Sequence, residues 1–173
     1  MGNKIIKLVA LTFAVIGVGT FVLIFNISMS GKRHIDETAI AGYKLAIIED
    51  DGKCELFYQG EKGSGKLPLG PQPPCRFLTQ AGGTLEFYAY SDVKVKALLV
   101  IVGTPKKPDP TIPVTMKKNY YCGDEIQGVL IRGDGVYITK LVMDAGLACT
   151  NLGLDEKFFW IFAHEKKLIG PGK

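Results

Sequence analysis

An unbroken run of 18 uncharged, mostly apolar residues, Leu8 to Phe25, constrains this chain more than any other feature. At ~1.5 Å per helical residue it covers about 27 Å, close to the ~30 Å hydrocarbon core of a bilayer. Lys4 and Lys7 precede the run, and Lys32 and Arg33 follow it. The sequence therefore predicts an N-terminal transmembrane helix: residues 1–27 form an anchor, 28–41 a linker and 42–173 an exported domain. The competing reading is a cleaved signal peptide, for which Ser28-Met29-Ser30 offers a passable site. Signal peptides carry shorter apolar stretches of ~7 to 15 residues, so length favours an uncleaved anchor.

The formal net charge of +4 follows from the same segment. Lys4, Lys7, Lys32 and Arg33 are its only charged side chains, and the other 17 basic residues are matched by 17 acidic ones. From His34 to Lys173 the chain is neutral overall, so its charge gives no reason to expect nucleic acid as a partner.

Cys54, Cys75, Cys122 and Cys149 all lie beyond the anchor and lack CxxC or Cys/His spacing. Such an even set predicts disulfides in an oxidising space rather than a zinc site. The sequential pairing, Cys54 with Cys75 and Cys122 with Cys149, is favoured because each closes a modest loop rich in turn residues. Together with the anchor, this places the chain in an inner membrane as a single-pass protein, its C-terminal domain in the periplasm.

Beyond the linker, where a short helical turn over Asp36 to Ala41 is possible, the pattern is mainly β. Tyr43 to Glu49 and Cys54 to Gln59 flank Asp50-Asp51-Gly52 as a hairpin. Gly60 to Pro74 reads as a loop without periodicity. Arg76 to Thr79 and Thr84 to Ser91 are further strands, the latter with Leu85, Phe87 and Ala89 on a core face and tyrosines on the other. Val93 to Val102 is the strongest strand, apolar on both faces from Leu98 onward. Four prolines in Thr104 to Pro113 make that segment an extended, exposed loop. Gln127 to Arg132 and Val136 to Met143 form a hairpin about Gly133-Asp134-Gly135. Phe158 to Ala163 (FFWIFA) is ambiguous: Asp155 could cap a helix there, but its length and aromatic content favour a buried strand. The expected fold is a compact antiparallel β-sandwich or barrel-like domain.

Chemistry-bearing motifs are sparse. Gly60 to Lys66 matches G-x-x-x-x-G-K, but Leu67 and Pro68 replace the Ser or Thr and the helix that a phosphate loop needs. His164 beside Glu165 lacks the second histidine of a zinc-protease helix. Glu49-Asp50-Asp51-Gly52 suits a turn better than a calcium loop. No cofactor, metal or catalytic residue is assigned, and an enzyme is the less favoured class.

The candidate partner-binding residues are Lys106, Lys107 and Asp109 in the proline-rich loop, the aromatics Tyr88, Tyr90, Tyr120 and Trp160, and His164. Prolines pre-order a loop and lower its binding cost, while Tyr and Trp supply contact area with little entropy loss. The expectation is a membrane-anchored periplasmic binding protein, an inhibitor or immunity-type partner of an envelope-acting enzyme. Two alternatives stand beside it: a structural subunit of an envelope assembly, packed through Ala10, Ala14 and Gly17 of the anchor, and an envelope hydrolase using His164. The partners expected are another envelope protein and the lipid bilayer.

Overall fold

The computed structural model describes residues 33–105 and 121–171. The anchor and the segment holding Lys106, Lys107, Asp109 and Tyr120 lie outside them. Among the described residues no helix is long and apolar enough to cross a membrane.

The chain opens with a four-stranded meander, β1 (Arg33–Ile40), β2 (Tyr43–Asp50), β3 (Lys53–Gly60) and β4 (Gly63–Pro68), paired in sequence order. Its first two turns, Ala41-Gly42 and Asp51-Gly52, take positive φ at both residues, the conformation whose twist suits two-residue hairpins. A six-stranded sheet follows, containing β5 (Arg76–Phe77), β6 (Phe87–Tyr90), β7 (Val95–Pro105), β8 (Cys122–Arg132), β9 (Val136–Cys149) and β10 (Leu168–Ile169). Its order is β10-β9-β8-β7-β5, with β6 also on β7. Helix α1 (Glu156–Ala163) precedes β10. Among the described residues the sheets do not close into a barrel.

Two cores explain the burial of β7 on both faces. Ala97, Leu99 and Ile101 point into the space between the sheets, against Leu45, Ile47 and Leu56 of the smaller one. Leu98, Val100 and Val102 point the other way, against Phe159, Phe162 and Ala163 of α1. Each fully buried side chain of this size contributes about 1.5–3 kcal/mol relative to exposure, so the central strand draws from two layers at once.

The sheets are tied by specific contacts as well as packing. Asp36 of β1 accepts a hydrogen bond from Phe77 N of β5 at 2.8 Å, and the Cys54–Cys75 disulfide joins β3 to the chain entering β5. Buried Gln127 accepts from Gly70 N and donates to the Thr139 carbonyl, pinning the inter-sheet loop to β8. The second disulfide, Cys122–Cys149, links directly opposed residues of β8 and β9. Both bridges follow the sequential pairing.

Four sequence expectations are corrected. FFWIFA belongs to a helix: Asp155 Oδ1 accepts from Lys157 N at 2.9 Å as its cap, and Phe159, Phe162 and Ala163 form the buried stripe. Arg33–Ile40, expected as linker with a helical turn, is an edge strand zipped onto β2. Gly63–Pro68, expected as loop, is a strand because its backbone pairs with β3 and Leu67 enters the inter-sheet core. The faces of β6 are inverted. Tyr88 and Tyr90 turn toward the core under α1, whereas Phe87 is half exposed.

Candidate functional site

Helix α1 positions the most exposed large aromatic side chain of the described residues. The stripe that buries Phe159, Phe162 and Ala163 leaves Trp160 outside, 54% exposed. One turn later His164 occupies the helix C-cap, and residues four apart share a helix face. Their rings stack, with centroids 4.1 Å apart and planes inclined by 23°.

His164 is held at both nitrogens. Nδ1 lies 2.8 Å from the Trp160 carbonyl and Nε2 lies 2.9 Å from Asp92 Oδ2, in the turn between β6 and β7. Both neighbours are acceptors, so the imidazolium alone can donate to the two of them. The hydrogen bond to the Trp160 carbonyl and then that to Asp92 raise the His164 pKa above its ordinary 6.5. The same contact with His164 lowers the Asp92 pKa. Engagement of both nitrogens leaves neither to take a proton from a substrate, unlike the base of a hydrolytic triad, which keeps one nitrogen for its nucleophile.

Aromatic side chains beneath the pair stiffen it. Tyr90 meets the His164 ring edge-on, 6.0 Å between centroids, and burial, ahead of Glu156, Tyr88 and Asp92, pushes its hydroxyl up to about 12. Tyr88 packs on Phe159 with centroids 4.6 Å apart. Half-buried, the two tyrosines support the platform from below.

The described candidate residues Tyr88, Tyr90, Trp160 and His164 thus gather along helix α1 and its C-cap. Sequence reasoning missed Asp92, which lies 72 residues from His164. It also missed Arg132, at the end of β8 beside the same turn. A groove of about 560 Å³ runs past His164, lined by Asp92, Lys94, Arg132 and Lys166 among others. No local motif links these positions; only the pairing of β7 with β8, which sets Val95 opposite Arg132, brings them together.

Among the described residues no group of three or more His, Cys, Asp or Glu side chains is arranged to hold a metal ion. The chain matches no protein-family model, no curated protein and no solved structure.

Proposed function

We propose that this chain is a membrane-anchored binding protein of the periplasm, an inhibitor or immunity-type partner of an envelope-acting enzyme, with the Trp160–His164 platform as its contact surface. The observation that carries this reading is the exposed Trp160 ring, fixed by stacking on a His164 that is itself held at both nitrogens. An exposed, pre-ordered Trp is costly in water and rewarding in an interface, where large rigid aromatics supply most of the binding energy. Two disulfides fit an oxidising compartment, and the apolar run Leu8 to Phe25 fits the anchor.

The test is partner capture from solubilised membranes by the full chain, followed by assay of the captured enzyme with and without added chain. The expected result is a captured envelope enzyme whose activity falls on addition. Trp160→Ala should abolish capture with an unchanged thermal melt, and deletion of Lys106 to Pro110 should weaken it. Capture that survives Trp160→Ala at full strength sinks the reading.

A further inference from the structure

The groove beside His164 continues into a second one of about 590 Å³, and the two share Val93, Lys94 and Arg132. Together they form a track along the end of the six-stranded sheet. Lys94, Lys96, Arg132 and Lys166 line it and are the cations along its course. Its three carboxylates each have a hydrogen-bonding partner: Asp92 with His164, Asp134 with the Tyr137 hydroxyl, and Glu165 with Lys167 N. None of the four cations shares an ion pair with a described residue; the Arg132 guanidinium lies over the Tyr137 ring, 5.8 Å from its centroid, and its buried Nε has no hydrogen-bond acceptor.

Four cations against three carboxylates leave the track one positive charge in excess, before any charge on His164 is counted. Arg132 lines both grooves, and a guanidinium is the cation best suited to receive a carboxylate, through paired N–H donors. Lys94 is additionally held with φ +58° in the turn that presents it, a conformation uncommon for a side chain larger than Gly. The cations are spread along the track rather than gathered at one point, so they suit successive single charges along an extended chain.

We infer that this track is the docking site for an acidic segment of a protein partner, with one carboxylate received by Arg132 and others by Lys94, Lys96 and Lys166. The inference deepens the partner-binding reading and rests on it, because the track is lined by His164, against which Trp160 stacks. An acidic segment in the track then meets the aromatic platform.

Trp160 is the chain's single tryptophan, so its emission reports occupancy through the His164 ring on which it stacks. The full chain is titrated with a short peptide alternating glutamate and glycine, with the lysine counterpart of that peptide, with inorganic phosphate, and with vesicles of equal parts phosphatidylglycerol and phosphatidylcholine. The glutamate peptide should saturate, shift the emission of Trp160 and weaken as salt is raised. Arg132→Gln should weaken it about tenfold or more, and the exposed-site variants Lys94→Gln and Lys166→Gln each by about threefold, at unchanged melting temperature. Equal binding of the lysine peptide overturns the inference, as does indifference to both Arg132→Gln and Lys94→Gln. Saturation by phosphate in the same range makes the track a small-anion site, and Arg132-dependent binding of vesicles alone makes it a lipid site; either result also overturns it. Partner capture that needs Trp160 but not Arg132 overturns the track while the partner-binding reading stands. Peptide binding with Trp160-independent capture does the reverse.

Discussion

His164 lies flat against Trp160, one helical turn away, while its two nitrogens face a backbone carbonyl and the Asp92 carboxylate. The stack therefore carries a cation over an aromatic face whenever His164 is protonated, a favourable arrangement for an indole. Loss of that proton leaves one nitrogen lone pair directed at an acceptor. The exposed platform is consequently best ordered in mildly acid solution and loosens as pH rises.

Titration of His164 by NMR should give a pKa above the ordinary 6.5. Asp92→Asn should lower it, yet leave it elevated, because the Trp160 carbonyl is the larger cause. The folded-state pKa exceeds the unfolded one, so the stabilisation from His164 is fully present below pH 6.5 and is lost as pH rises through the folded value. Trp160 emission should follow the same titration, since an imidazolium stacked on indole quenches it. A flat emission profile across that range would show that the stack does not persist in solution.

Glu86 predicts an unusual pH response for a carboxylate. It is buried, accepts from Leu154 N at 3.0 Å, and burial raises its pKa above 4.5 despite that bond. The folded state thus holds its proton to higher pH than the unfolded state, so stability from this group falls as pH rises from 4.5 through the folded value. Glu86→Gln removes the charge and keeps an acceptor for Leu154 N. Chemical denaturation at neutral pH should find the variant as stable as the parent or more so, and the acidic side of the stability profile should flatten.

Gly128 sits where the β8–β9 register shifts, and its backbone lies directly under α1. A Cβ there would come within 2.8 Å of Phe162 Cβ and within 3.2 Å of Thr139 Cγ2. Gly128→Ala should therefore push the helix off the sheet and cost about 1–3 kcal/mol by overpacking. The measurement is urea unfolding of the variant, with Gly133→Ala as the comparison because an added Cβ at Gly133 meets nothing within 4 Å. Equal losses at both positions would mean that α1 is not seated as described.

What the sequence made legible was whatever is encoded locally. Asp51-Gly52 and Gly133-Asp134-Gly135 announce their hairpins because few residues adopt those turns readily. The cysteine pairing followed from spacing and was correct. The failures share a different cause. FFWIFA has no period of its own, so the helix is decided by the sheet face that receives Phe159 and Phe162 rather than by the run itself. Gly63–Pro68 is a strand only because β3 offers it an edge. Tyr88 and Tyr90 face inward because a helix from later in the chain covers that side of the sheet. Of the platform, Trp160 and His164 were visible as candidates, whereas Asp92 and Arg132 could not be connected to them before β7 and β8 were paired.

The two disulfides should differ in what they protect. Cys54–Cys75 spans 21 residues and crosses from one sheet to the other, where Cys75 is fully buried. Cys122–Cys149 spans 27 residues but ties strands that already exchange an extensive ladder. Loop-closure entropy predicts nearly equal stabilisation, about 3 kcal/mol each, since the loops are similar in length. Packing separates them: removing Cys54–Cys75 also leaves small gaps in the core between the sheets, where both cysteines are members. Paired Cys→Ala variants measured by urea unfolding should therefore lose more from the first bridge than from the second. Hydrogen exchange should localise the first loss to β1–β4 and the second to the open end of the β8–β9 hairpin. Equal exchange patterns in the two variants would show that the sheets unfold as one unit whichever bridge is missing.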